Sequence, residues 1–425
     1  MSRIKSVRAR QLLDCKCRPM VEAQVETDDG FAGLGAAPTG TSVGSHESFV
    51  LRDGDPAEYG GMGVRRAVAN VNEKLAPALV GMDVSDQAAI DRCMIELDAT
   101  PDKHVLGGNA IYSVSIAALR AAGAAVGQEV YRHMLGRGPR TVPVPTFNVI
   151  NGGKYGDMTQ PFNEFLVVPW KAGSVSESVE MGVKIFAALE EAVGKASGRG
   201  AAVGRSYGWV APSDDPDVCI GLLEKTCEGL GYGGRVAFAL DCASSEMYDK
   251  ATGTYLLGGK RVEREALIEF AAGLARKYPM LFIEDLLDED DFAGYALARL
   301  AIRGSARTLV IGDDLIVSDR ARLEKAHALG GVDGFILKPN QIGTISEAME
   351  THAYAVKEGL LSITSGRSGG VVDDIVMDLA VATEIPFIKN GAPRSGERIN
   401  KLNFLMRVQD VCPDVRLSDL GGYLR

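Results

Sequence analysis

The chain has 425 residues, too many for one ordinary hydrophobic core, so two domains are expected. Its composition, 46% hydrophobic and 24% charged, belongs to globular chains and excludes a disordered or membrane-embedded one. A net charge of −10 argues against a nucleic-acid or anionic-membrane surface, so an anionic substrate must be held by local cations, a metal or both.

Met1 to Asp14 carries basic residues but no apolar leader core, and no run is long and apolar enough to span a bilayer. The expected location is the cytoplasm. The seven cysteines (15, 17, 93, 219, 227, 242 and 412) are scattered. Cys15 and Cys17 form the single close pair, without metal-ligand spacing, so free thiols are expected.

In chain order, Val21 to Gly35 alternates around the turn Asp28-Asp29-Gly30 and reads as a β-hairpin. A small-residue loop, Thr39 to Gly44, follows. Apolar spacing predicts helices over Arg65 to Val80, Ser85 to Leu97 and the alanine-rich Asn109 to Ala125. Residues 1–138 therefore read as an α+β domain. Arg137-Gly138-Pro139-Arg140 and the Pro143/Pro145 pair mark its end. Over residues 139–425, strands and helices alternate, which predicts a mostly parallel sheet closed into a (β/α)8-type barrel. Gly194 to Asp217 is rich in Gly, Ser, Ala and Pro with little periodicity, and reads as a lid or a disordered loop.

Six apolar runs of this second part end at a polar residue: Val236–Leu240 at Asp241, Leu281–Ile283 at Glu284, Leu309–Gly312 at Asp313, Phe335–Leu337 at Lys338, Leu361–Thr364 at Ser365, and Pro386–Ile388 at Lys389. Polar residues at the C-terminal ends of barrel strands converge on one rim and read as catalytic. Asp241, Glu284 and Asp313 together suit a hard divalent cation such as Mg2+, which takes oxygen ligands. The plain alternative for such acids is capping of the following helices. Lys338 and Lys389 follow apolar residues, which disfavours an ordinary surface role. A desolvated lysine beside a metal has a depressed pKa and serves as a base. Ser365-Gly366-Arg367-Ser368-Gly369-Gly370 offers backbone amides, hydroxyls and a guanidinium, the parts of a phosphate or oxyanion cradle.

These segments resemble the enolase (phosphopyruvate hydratase) family over nearly the whole chain. The resemblance rests on Val144 to Gly153, Ala239 to Glu246, Ile283-Glu284-Asp285, Gly312-Asp313-Asp314-Leu315, Leu337 to Thr344, Ile388 to Ala392 and the loop Ala37 to Gly44. It implies a small N-terminal α+β domain and a variant barrel with an antiparallel early strand. It also implies one or two Mg2+ ions at Asp241, Glu284 and Asp313, with Ser42 helping to hold the second. Lys338 would be the base, Glu164 would assist the acid side, and Lys389 would meet the substrate carboxylate. Arg367, Ser368 and the Ser42 loop would hold the phosphorus group of a small phospho-carboxylate. A homodimer or octamer is implied as well.

Three departures lie in the catalytic segments. Tyr155 stands where the family has a histidine after Asn-Gly-Gly. The stretch Val203 to Pro212 is one residue longer than the family's flap and lacks its acid. The loop 365–370 lacks the family's histidine and glutamate. All five histidines (46, 104, 133, 327 and 352) lie elsewhere. Selective loss on the acid side, with Lys338 and the metal ligands kept, implies a changed reaction. The first expectation is specialised metabolism of the carboxyphosphonoenolpyruvate synthase kind, with Tyr155 and Arg205 serving a larger, more anionic substrate. An ordinary glycolytic enolase is the alternative, and a non-catalytic binding protein with the same fold the second.

Overall fold

The computed structural model describes residues 2–40, 44–156 and 160–424. Three antiparallel strands open the chain: β1 (Ile4–Leu13), β2 (Pro19–Thr27) and β3 (Ala32–Ala37). The turn joining β2 to β3 places Gly30 at φ 91, a conformation open to glycine at little cost. The alanine-rich helix Gly108–Ala125 lies across this sheet. Its small residues and Gly33 and Gly35 of β3 let the two backbones approach closely. A Cβ on Gly35 would lie 2.0 Å from the Ser113 carbonyl oxygen.

The barrel has eight strands: β4 (Val144–Asn151), β5 (Glu164–Val168), β6 (Ala237–Asp241), β7 (Met280–Glu284), β8 (Leu309–Gly312), β9 (Gly334–Leu337), β10 (Leu361–Thr364) and β11 (Phe387–Lys389). Strand β5 pairs antiparallel with both β4 and β6. The pairs from β6 through β10 are parallel, as is β11 with β4. A parallel bridge between Ser365 and Lys389 closes the ring. The interior is apolar, with Phe282 stacked on Phe387 at 5.6 Å.

Part of Gly194 to Asp217 is regular, anchored structure rather than a lid or a disordered loop. The helix Val175–Ser197 runs through Gly194, and another starts at Pro216. Between them Trp209–Val210 pairs with the end of β4. Trp209 anchors this stretch: it stacks on Phe186 at 5.1 Å and donates Nε1–H to the Phe186 carbonyl. A buried aromatic outweighs a turn-rich composition. Among the described residues, no helix is long and apolar enough to cross a membrane.

Gly35→Ala is expected to cost about 1–3 kcal/mol through overpacking against the helix and to lower the melting temperature. Gly138→Ala, which adds a methyl in open space, is the control and leaves it unchanged. Thermal denaturation of the two variants checks this.

Candidate active site

Pairing register explains why three distant acids meet. Glu164 lies opposite Asp241 on the neighbouring strand, and Asp241 lies beside Glu284 on the next. Lys389 reaches across from β11 into this row. Its Nζ is 3.0 Å from Asp241 Oδ2, 2.7 Å from Glu284 Oε2 and 3.6 Å from Glu164 Oε2. Asp313, just past β8, pairs with Lys338 and accepts from Gln341 Nε2 at 2.8 Å. Capping does not account for these acids. Helices on this side are capped by other residues, among them Asp215, Asp291 and Asp319.

Their electrostatics follow from burial. Desolvation pushes Glu284 well above the ordinary carboxylate range, and Asp241 adds to it against the pull of Lys389. Desolvation, with Glu164 and Asp313, carries Asp241 up to about 6 despite Lys389. Burial pushes Asp313 the same way, but Lys338 and Lys389 outweigh it and hold its carboxyl below the usual value. For the lysines the balance reverses. Burial lowers Lys338, yet Asp313 more than compensates, so Lys338 sits above an ordinary lysine rather than below it. Without a cation on Asp313, the ion pair favours the charged form of both partners. Lys389 is raised further, by Asp241, Glu284 and Glu164.

Asp241, Glu284 and Asp313 fit a hard cation: all are buried carboxylates, and two of them share one ammonium. A second acidic group, Asp285 with Asp313 and Asp314, brings its carboxylate oxygens within 4.8 Å of one another. Asp285 is committed to the backbone, however. It accepts from the amides of Asp313 and Asp314 at 2.9 and 2.8 Å and so shapes the turn that aims Asp313. Its own backbone has φ 47, outside the usual region for a non-glycine residue.

The glycine-rich loop forms the opposite wall of the cavity, with Arg367 and Ser368 lining it. The Arg367 fork meets Glu47 of the N-terminal domain, Nη1 to Oε2 at 2.6 Å and Nη2 to Oε1 at 3.1 Å. Two of the loop's glycines pack closely against neighbouring cations. A Cβ on Gly369 would lie 1.8 Å from Arg18 Nη2, and one on Gly366 would lie 2.1 Å from Lys401 Nζ. Thr39 bridges to Gly369, which ties the start of the 39–44 loop to this wall. Ser42 lies outside the described residues.

Tyr155 also lines the cavity, and burial, with Glu164 and Asp241, pushes its hydroxyl up, so it stays protonated. Arg205 does not line it. Its side chain is exposed, and only its backbone N–H points inward, donating to the Tyr155 carbonyl at 2.6 Å. The next residue, Ser206, takes that place. Its Oγ donates to Glu164 Oε1 at 3.1 Å, and Asn148 Nδ2 donates to the same oxygen at 2.8 Å. Sequence reading missed Ser206, Glu47, Asn390 and Arg398, all cavity-lining. Glu47 comes from the other domain and carries no local signal. Arg398 sits inside a helix, Gly396–Val411, like any surface-facing arginine. Asn390 follows Lys389 directly, and that position was the available clue.

Comparison with known proteins agrees along the whole length. Residues 4–134 match the family model "Enolase, N-terminal domain", and residues 139–417 match "Enolase, C-terminal TIM barrel domain". The enolase of Methanopyrus kandleri is 41% identical over 413 residues, 96% of each chain. That of Bifidobacterium adolescentis is 39% identical over 412 residues, 96% of this chain and 95% of that one. The chain belongs to the enolase family and is an enzyme of that superfamily. Neither the family models nor these relatives' names carry a phosphonate role, so they support the ordinary enolase over the specialised one.

A cation held by Asp241 and Glu284 would displace their protons, so Mg2+ affinity is expected to rise with pH through about 6, the value of Asp241, and to keep rising beyond it because Glu284 is raised further. Calorimetric titration between pH 5 and 8 checks the direction, and buffers of different ionisation enthalpy report the proton released.

Proposed function

We propose that this member of the enolase family interconverts 2-phosphoglycerate and phosphoenolpyruvate with Mg2+. The observation that carries the reading is the pair of lysines, Lys389 buried and Lys338 half-buried, set against Asp241, Glu284 and Asp313 on one barrel rim. Asp241, Glu284 and Asp313 would hold Mg2+, which supplies positive charge for the enediolate formed when C2 loses its proton.

The protein's own residues do the rest. Lys338 moves the C2 proton; Asp313 and Gln341 keep it and its partner in place. As an ammonium it is poised to deliver a proton to C2 of phosphoenolpyruvate. For the forward direction it must first be neutral, so any charge that draws on Asp313 favours it as a base. Lys389 remains an ammonium and meets the substrate carboxylate. Arg367 and Ser368, with Ser42 from the N-terminal loop, receive the phosphate. Departure of the C3 hydroxyl needs a proton, and Glu164, oriented by Asn148 and Ser206, is the carboxyl on that wall. Assembly as a homodimer or octamer in the cytoplasm belongs to the same proposal.

One observation favours a second reading. The wall beside Glu164 carries the Ser206 hydroxyl, and Gly366 leaves room for the Lys401 ammonium. The family resemblance places an acid and a histidine in those two segments. On this reading the C2 chemistry is kept and the substrate is a larger phospho- or phosphono-carboxylate, as in a carboxyphosphonoenolpyruvate synthase.

Incubation of 2-phosphoglycerate with Mg2+ in D2O, followed by NMR, separates the readings. Exchange at C2 together with the vinyl signal of phosphoenolpyruvate is the expected result. Lys338→Ala should suppress both, and Glu164→Gln should slow elimination about 10²–10⁴-fold while exchange persists. Exchange without vinyl product favours the second reading, and absence of both refutes the assignment of Lys338.

A further inference from the structure

Asn390 is buried, 2% exposed, yet neither its Oδ1 nor its Nδ2 has a hydrogen-bond partner among the described residues. An amide left unpaired in a protein interior costs stability, and such groups persist where a ligand completes them. This one lines the polar cavity directly after Lys389. Its backbone is fixed by the barrel: its N–H donates to the Thr146 carbonyl at 3.0 Å.

The surroundings define what it can meet. Gly391, at φ 83, lets the Arg398 guanidinium pack close; a Cβ there would lie 2.8 Å from Nε. Arg398 donates to the Ser206 carbonyl at 2.5 Å and to Ser206 Oγ at 3.3 Å, and that Oγ donates to Glu164. Asn390 therefore shares a stretch of wall with Ser206 and Arg398, whose polar atoms already have partners. Its amide offers a donor and an acceptor together, the complement of an alcohol, which accepts and donates at one oxygen. A carboxylate or phosphate, which only accepts, would use half of it.

We propose that Asn390 is a specificity-determining residue that hydrogen-bonds a hydroxyl group of the substrate, on the carbon next to the one served by Lys338. The inference rests on the reading above, in which that group is the C3 hydroxyl of 2-phosphoglycerate. The same site must release phosphoenolpyruvate, which lacks this hydroxyl. Asn390 thus distinguishes the two ends of the reaction.

The test is calorimetric binding of 2-phosphoglycerate and of phosphoenolpyruvate with Mg2+ present, in a Lys338→Ala parent so that bound ligand is not converted. Asn390→Ala and the volume-keeping Asn390→Leu are compared with that parent. Both variants are expected to weaken 2-phosphoglycerate about tenfold, leave phosphoenolpyruvate unchanged, and melt no lower than the parent without ligand. Equal losses for both ligands would place the amide on a part they share and overturn the hydroxyl assignment, as would no loss for either. A fall of several degrees in the ligand-free melting temperature of both variants would show a partner within the fold and overturn it as well. If the parent binds neither compound and the unsubstituted protein converts neither, the functional reading fails, and this assignment fails with it.

Discussion

Burial of several carboxylates on one rim is the constraint that the rest of the site answers. Desolvation favours protons on Asp241, Glu284 and Asp313, and opposite charges held beside them work against it. Lys389 and Lys338 supply those charges, each from a different strand. Removing one partner of such an arrangement strands the other in a poorly solvated place, so the acids and lysines stand as a unit. The price is a lysine that prefers to keep its proton. If Lys338 acts as the proposed base, its proton transfer would depend on competition for Asp313 and so on whatever else that carboxylate binds.

The two domains complete each other at this rim. Glu47, from the N-terminal domain, engages the Arg367 fork, and Arg18 fills the space over Gly369. The 365–370 loop is therefore held from outside the barrel as much as by its own strand. Its glycines read as a phosphate cradle, but each of Gly366 and Gly369 has a cation packed on it, and at Gly369 a Cβ would also lie 2.6 Å from the Thr39 carbonyl oxygen. Gly369 thus answers to domain docking and Gly366 to Lys401 of the barrel itself, while Arg367 and Ser368 between them line the cavity.

Around Glu164 the cavity wall carries uncharged polar groups. Ser206 joins Glu164 to Arg398, Tyr155 keeps its proton, and Asn390 presents an unpaired amide. These residues come from β4's exit loop, the 198–208 stretch and the turn after β11, which are far apart in the chain. The row of Asp241, Glu284 and Asp313, by contrast, is set by consecutive strands in register, where a shift of one residue would turn a carboxylate away from the rim.

What the sequence by itself determined is the barrel and its row of strand-end side chains. Apolar runs ending at Asp241, Glu284, Asp313, Lys338 and Lys389 can be read in one dimension, because each strand carries its own residue to the rim and parallel pairing aligns them. Buried anchors were harder to read, since Trp209 pulls a glycine- and serine-rich stretch into the barrel wall against its composition. Only the tertiary structure decided which charges meet: that Lys389 lies among three acids, that Asp285 holds the Asp313 turn, that Ser206 rather than Arg205 faces Glu164, and that Glu47 reaches Arg367. Those contacts join segments hundreds of residues apart in some cases, and their energies depend on burial and distance, which no local pattern of residues encodes.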